Sequence, residues 1–401
     1  MKQRVLLVNK FYYRRGGDCV CVLNLEQLLR AQGHEVAVFA MQYPENLPNE
    51  WSSYWPSEVS FAGGASAKLR AAARTFGLGN VKRCFDRLLK DFRPDVVHLH
   101  NIHSYISPAV AAMARRAGAR VVWTLHDYKL LCPSYACLRQ SKPCELCFSG
   151  KLPVLTNRCM KGSLAASAVA FLEAERWNAR LLTRITDAFI CPSGFMARKM
   201  EQGGFPPAKL LTLCNFLPDE SARRFRELLD GGNAATREPS YCYVGRLSPE
   251  KGVETLLEAA AKLPYTLNVA GDGPLATELR SRYADCANIR FLGQLSGPEV
   301  VNLLSRSTLS VTPSECYENN PNSVIESLCA GTPVVGAEIG GIPELIDAAS
   351  GITFPSGNVE QLRHALDAAM KHTWNHQAIA ETSLQRFSAS AYNRSLTRIY
   401  S

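Results

Sequence analysis

No run of apolar residues in this 401-residue chain approaches the roughly 20 that a membrane-crossing helix needs. The longest stretches, such as 165–172, fall well short. In the opening MKQRVLLVNK only Val5–Val8 is apolar, which suits a first strand and not a signal peptide. A cytoplasmic protein is therefore expected. Low-complexity tracts and short-period repeats are also missing, and with 46% hydrophobic residues the chain is long enough for two cores, which argues against disorder. The 14 cysteines lack the close pairing of a small disulfide scaffold. Acidic residues are scarce in one half only. Residues 1–217 hold 15 Asp+Glu against 29 Lys+Arg, a charge of +14, whereas 218–401 carries −5. A basic half suits an anionic partner: lipid headgroups, lipid-linked phosphates or nucleic acid. The interleaved basic–aromatic stripe of a nucleic-acid binder is not evident, so nucleic acid is not expected.

What is present is alternation. Buried-type strands read at RVLLV (4–8), EVAVFA (35–40), DVVHLH (95–100), RVVWTL (120–125), DAFICPS (187–193) and LLTLCN (210–215). Helical patterns lie between them, one following Gly16–Gly17 with Asp18 placed to cap it. The polar stretch DGGNAATREPS (230–240) reads as a connection, after which strands return at 241–245, 266–271, 289–293, 309–314 and 332–336. Such alternation predicts an α/β protein of two doubly wound, Rossmann-like domains with parallel sheets facing a cleft. The expected boundaries are 1–217, a linker at 218–239, and 240–387.

The chemistry-bearing motifs fall at the carboxyl ends of strands, where such sheets bind ligands. In YENNPNSVIESLCAGTPVVG (317–336), Pro321 suits the first turn of a helix and Gly331 closes it. Glu318 then sits in the loop and Glu326 about one turn into the helix. The N–H groups of Asn322, Ser323 and Val324 make an anion site between two carboxylates, each able to accept paired hydroxyls. A ligand with hydroxyls on both sides of a phosphate fits, as in a nucleotide-sugar. An acidic loop that merely stabilises a helix would look the same. In GRLSPEKG (245–252), Arg246 and Lys251 can clamp a diphosphate, though a solvated turn explains them equally well. AGDGP (270–274) lacks the third glycine of a dinucleotide fingerprint.

Taken in order, GRLSPEKG, GDGP, FLG (291–293), the Glu318–Glu326 segment and GGIPELI (340–346) resemble the retaining glycosyltransferases of family 4, which have the GT-B fold. The resemblance extends through PDVVHLHN (94–101), TLHD (124–127) and the last helix, FSASAYNRSLTRIY (387–400), so that 388–401 is expected to cross back onto the first domain. It implies a hexosyltransferase that moves a sugar from a UDP- or GDP-sugar to a hydroxyl of a glycan or lipid-diphosphate-linked acceptor, in cell-surface polysaccharide biosynthesis. Arg246 and Lys251 would hold the diphosphate, Glu326 the ribose, and Glu318 the donor sugar, with Asn319, Asn320, Asn322 and Ser323 around it. Gly16 and Gly17 would let the backbone approach donor or acceptor. His126 would lie near the reacting carbon, and His100, Asn101 and Asp127 on the acceptor side. The implied catalytic set is Glu318, His126, Arg246 and Lys251. The loop reads ENNP where many members have Pro-Phe-Gly. A divalent metal is not required for such chemistry, because cations and helix N–H groups take its place, and His98, His100 and His103 read as cleft-floor residues. A nucleotide-sugar 2-epimerase of the same fold and a non-catalytic basic binding protein are the alternatives.

Two further expectations come from the residues. Lys68, Arg70, Arg74, Lys82, Arg83 and Arg87 interleave with Leu69, Phe76, Leu78, Phe85 and Leu88, which suits docking on an anionic membrane face, or a solvated helix pair. Cys132, Cys144, Cys147 and Cys159, with Cys137 as a substitute, could form a structural zinc site around the C-x-x-C pair. Buried free thiols or a redox pair are the other readings.

Overall fold

The two six-stranded sheets are parallel throughout and are built from short apolar runs with both faces covered. The protein's computed structural model describes residues 2–61, 63–230 and 237–401. It divides into two compact units, Met1–Cys137 with Cys144–Leu213 and Asn393–Ser401, and Cys214–Tyr392 with Leu138–Pro143.

The first unit's sheet contains β1 (Arg4–Val8), β2 (Glu35–Phe39), β3 (Val96–Leu99) and β4 (Arg120–Thr124). A short antiparallel hairpin, β5 (Leu138–Arg139) and β6 (Lys142–Pro143), follows in the loop after β4; β7 (Ala188–Cys191) and β8 (Leu210–Thr212) then complete the sheet. Its order is β2-β1-β3-β4-β7-β8. Val5, Leu6, Leu7 and Val8 are fully buried, as a strand with helices on both sides requires. The order reverses direction between β1 and β3, so the loops after these two strands diverge and leave a crevice at the carboxyl edge. The helix Ala389–Tyr400 ends in this unit: Tyr400 is buried and its hydroxyl lies 2.7 Å from His98 Nδ1, while the Ile399 carbonyl accepts from Arg120 Nε at 2.7 Å.

The second unit's sheet is β11-β10-β9-β12-β13-β14, made of β9 (Glu238–Val244), β10 (Thr266–Ala270), β11 (Ile289–Gly293), β12 (Ser307–Thr312), β13 (Val334–Ala337) and β14 (Gly351–Phe354). This is the doubly wound order with its switch point between β9 and β12. Tyr241, Leu256, Leu267, Leu309 and Val334 lie in its core.

The boundary differs from the expected one. The connection expected at 218–239 is largely structured: Asp219–Asp230 is a helix, anchored by buried Ala222 and Phe225, and β9 begins at Glu238. Residues 231–236 of the expected linker lie outside the described residues. The division between units falls earlier, after Leu213. The polar composition hid the helix because its apolar face is narrow. Among the described residues, no helix is long and apolar enough to cross a membrane. In the stretch expected to dock on lipid, Leu69 and Leu78 are exposed beside Lys68, Arg70, Lys82 and Arg83, but Phe85 and Leu88 belong to the core. Arg74 is also buried, donating to the Ser57 carbonyl and to Asn80 Oδ1, each at 2.7 Å.

Candidate active site

In the second unit the two diverging loops at the switch point meet. After β9 the chain turns through a short 3-10 stretch, Pro249–Lys251, to Gly252 at φ +66°. A side chain at Gly252 would run into the Pro313 carbonyl beyond β12, so this glycine permits the close approach of the two loops. Glu315 N donates to the Glu250 carbonyl at 2.9 Å and holds them together.

The approach places Lys251 Nζ 2.5 Å from Glu318 Oε1, with Ser314 Oγ donating to the same oxygen at 2.8 Å. Burial works against the Lys251 ammonium, but the Glu318 carboxylate beside it outweighs that and holds its pKa above the ordinary value. Gly340, at φ +62°, packs directly on the Glu318 backbone, and Gly341 N donates to the Glu318 carbonyl at 2.7 Å. The GGIPELI segment thus fixes the loop that carries Glu318. Arg246 projects from the β9 loop; its side chain is exposed and, among the described residues, makes no ion pair.

The helix Asn322–Cys329 begins at Pro321 without a side-chain cap. Val324 N is occupied by the Pro321 carbonyl at 3.1 Å, so of the three expected N–H donors those of Asn322 and Ser323 remain for a ligand. Glu326 lies one turn in. Its carboxyl has no protein hydrogen-bond partner among the described residues, and burial pushes its pKa up to about 7. Asn320 and Asn322 are engaged within the protein. Asn320 Oδ1 accepts from Asn215 N at 2.9 Å and from the Cys214 thiol, and Asn215 Nδ2 donates to Asn322 Oδ1 at 3.1 Å. Through their Oδ1 atoms these two side chains order the loop. Asn215 was not singled out in the sequence, where nothing marks a lone asparagine after a strand.

The first unit gathers a second cluster at its own switch point. Asn101, just past β3, receives Asn9 Oδ1 on its N–H at 3.1 Å and donates through Nδ2 to Asp18 at 2.6 Å. Asp18 is therefore not the helix cap: the helix Gly17–Ala31 is capped by Gly16 in an extended conformation, and Asp18 stands in its first turn. Gly16 and Gly17 form the start of that helix beside Asp18. His126, after β4, lies with Nε2 2.9 Å from His100 Nδ1; His100 in turn stacks on His98, whose Nε2 meets Thr124 Oγ1 at 2.7 Å. Burial draws His98 down to about 3 and His126 to about 4, so both are neutral at pH 7. His100 Nε2 is buried without a hydrogen-bond partner among the described residues. Burial raises the Asp127 carboxyl above its usual range; Asp127 Oδ1 accepts from Lys129 N at 2.9 Å and lies 4.0 Å from His103 Nε2.

Two matches to family models cover these clusters. Residues 15–220 match Glycosyltransferase Family 4, and residues 225–392 match Glycosyl transferases group 1. The chain belongs to glycosyltransferase family 4. Among its relatives is the GDP-mannose-dependent alpha-mannosyltransferase of Mycobacterium tuberculosis, 26% identical over 92% of this chain and 86% of that one. Sulfoquinovosyl transferase SQD2 of Arabidopsis thaliana is 27% identical over 67% of this chain, which spans only 48% of that protein's length. Among solved structures, Anabaena HepE in complex with UDP-glucose aligns over 99% of each chain with a TM-score of 0.65 at 17% identity, which shows the GT-B fold. The GT-B assignment made from the motifs therefore stands.

The four cysteines expected as zinc ligands lie near one another in the glycosyltransferase, since the charges of Cys132, Cys159 and Cys144 all act on Cys147. Among the described residues, no three His, Cys, Asp or Glu are placed to hold a metal ion. Cys147 packs with Val154 and Ala170 against Cys159, Met160 and Phe171 in a small satellite core. Cys132 instead pairs with Cys137, and its Sγ lies 3.1 Å from Ser134 Oγ.

Proposed function

We propose that this glycosyltransferase transfers a hexose from a UDP- or GDP-sugar to a hydroxyl of a glycan or lipid-linked acceptor, with retention of anomeric configuration, in the assembly of a cell-surface polysaccharide. The observation that carries the reading is the arrangement at the second unit's switch point. A cation (Lys251) and a carboxylate (Glu318) stand in contact beside an uncapped helix N-terminus, with the unpartnered carboxyl of Glu326 one turn further along. Each feature matches one part of a nucleotide-sugar. Ribose hydroxyls would donate to Glu326, the diphosphate would meet Lys251, exposed Arg246 and the helix N–H groups, and the sugar would lie against Glu318. Similar proteins support the donor class, since one is a GDP-mannose-dependent mannosyltransferase and another binds UDP-glucose.

As the bond from the sugar's anomeric carbon to the diphosphate breaks, negative charge develops on the leaving phosphate. Lys251, Arg246 and the Asn322 and Ser323 N–H groups would stabilise it. Lys251 would exchange its Glu318 partner for the phosphate, which frees Glu318 to accept from the sugar hydroxyls. On the first unit, neutral His126, with Asp18, Asn101 and Asp127, would orient the acceptor hydroxyl. For a lipid-linked acceptor, the exposed Leu69 and Leu78 among Lys68, Arg70, Lys82 and Arg83 would rest on an anionic bilayer face. The test is transfer from a panel of UDP- and GDP-hexoses to glycan and lipid-diphosphate acceptors, with the product linkage read by NMR. Retention supports the reading; an inverted anomer, or epimerised donor with no transfer, contradicts it.

A further inference from the structure

The first unit's switch point carries a surface that the donor reading leaves unused. The loop after β1 reads Lys10-Phe-Tyr-Tyr-Arg-Arg15, a basic–aromatic run too short to stand out in the sequence. Folding completes it with Tyr43 from the loop after β2 and Phe61 and Tyr105 from further along. Ring centroids lie 5.2 Å apart for Phe11–Tyr43, 5.6 Å for Phe11–Tyr13, 6.1 Å for Tyr13–Tyr43 and 5.9 Å for Phe61–Tyr105. Arg15 Cζ stands 4.2 Å over the Phe11 ring, and Lys10 Nζ lies 5.5 Å from Phe11 and 5.7 Å from Tyr105.

Three features separate this cluster from an ordinary satellite core. Phe61 is 37% exposed, and Tyr13, Tyr43 and Tyr105 are only half-buried, so the rings form a wall and not a filled interior. Their three hydroxyls have no protein hydrogen-bond partner among the described residues. Lys10, Arg14 and Arg15 make no ion pair there either, although exposed Glu45 and Glu58 are close enough to influence Tyr13. Cations held over aromatic faces keep their outward N–H groups free for an anion. Lys10 also reaches the floor of the cluster described above, since its charge acts on Asp18, His126 and Asp127.

Aromatic rings suit the apolar face of a sugar, tyrosine hydroxyls suit its hydroxyls, and unpaired cations suit a phosphate. We propose that Lys10, Arg14, Arg15, Tyr13, Tyr43 and Tyr105 form an acceptor subsite that binds a glycosyl phosphate or diphosphate. The inference rests on the transferase reading and narrows its acceptor to a sugar that already carries an anionic phosphate. That chemistry occurs both in soluble sugar phosphates and in polyprenyl-linked ones.

The test uses the full chain with its nucleotide side saturated by UDP or GDP, whichever binds. Calorimetric titration compares the 1-phosphates of glucose, galactose, mannose and N-acetylglucosamine with the parent sugars. At least one 1-phosphate should bind tenfold or more tightly than its parent, with affinity falling as salt rises. Arg15→Ala, at an exposed position, should lose tenfold or more of that affinity and keep its nucleotide affinity; Lys251→Ala should do the reverse. A farnesyl-diphosphate-linked form of the preferred sugar separates the two sources: tenfold tighter binding marks a lipid-linked acceptor, and equal binding a soluble one. If nucleotide binds but no phosphate is preferred over its sugar, or Arg15→Ala changes nothing, or an oligonucleotide displaces the ligand at lower concentration, the subsite is overturned. If no nucleotide binds, the transferase reading fails instead.

Discussion

Replacing Glu326 with Gln separates the energetic cost of this carboxyl from its use. The side chain keeps its shape and its acceptor oxygen but cannot ionise. In the folded protein without ligand, burial raises the Glu326 pKa from 4.5 to about 7. Between those values the folded state holds a proton that the unfolded chain has released, so stability falls as pH rises through this window and levels off above it. At 1.36 kcal/mol per pH unit the difference amounts to about 3 kcal/mol above pH 7, and to nothing below pH 4.5. Glu326→Gln should therefore match wild type at pH 4.5 and gain up to about 3 kcal/mol on it at pH 8. Trp374 is the only tryptophan between Cys214 and Tyr392, so urea unfolding followed by 19F NMR of fluorotryptophan-labelled protein isolates that unit. At pH 8 the variant should also bind nucleoside diphosphate about tenfold more weakly, because a charged acceptor of ribose hydroxyls is lost. If the stability difference between variant and wild type is the same at both pH values, Glu326 is not a buried, partnerless carboxyl and the reasoning fails.

Lys251→Ala should lower turnover about 100-fold through lost charge stabilisation of the leaving phosphate, with a smaller effect on sugar selectivity; steady-state kinetics on two donor sugars check this. The first unit should show the opposite pH trend. The pKa values of His98 and His126 are depressed to about 3 and about 4, so their contribution is present above pH 6.5 and is lost as pH falls towards 4, which pH-dependent unfolding read from Trp123 would detect. Tyr400→Phe should cost that unit about 1 kcal/mol by removing the hydroxyl 2.7 Å from buried His98; an unchanged unfolding midpoint would mean the last helix is not held there. The Cys137 thiol and the Ser134 hydroxyl stabilise the Cys132 thiolate and hold its pKa below the ordinary thiol range, so the lowest-pH step in thiolate absorbance near 240 nm should vanish in Cys132→Ser.

Much of the architecture was readable because parallel strands buried on both faces leave continuous apolar runs, and the segments around Val5–Val8 and Leu309–Thr312 show them plainly. The helix Asp219–Asp230 was hidden because charged residues cover most of its surface and only Ala222 and Phe225 are deeply buried. The positions of Glu318, Lys251, Arg246 and Glu326 at strand ends and a helix start were legible because such places have local signals. The engagement of Asn320 and Asn322 by Asn215, more than 100 positions away, was not, since it depends on how the chain folds back. Asp18 shows the same limit: a carboxylate after Gly16–Gly17 reads as a cap, but Asn101, brought beside it by the β1–β3 pairing, takes its hydrogen bond. The cysteines show it as well: spacing along the chain does not show that Cys147 packs on Val154 and Ala170 while Cys132 lies beside the Cys137 thiol.

The most direct test of the central claim is calorimetric titration of the wild-type chain and Lys251→Ala with UDP, GDP and ADP at pH 8. At least one diphosphate should bind the wild type with micromolar affinity and bind Lys251→Ala at least tenfold more weakly, at a temperature where the unit Cys214–Tyr392 is folded in both. Binding of none of the three, or equal binding to both proteins, would contradict the assignment of this switch point as the donor site.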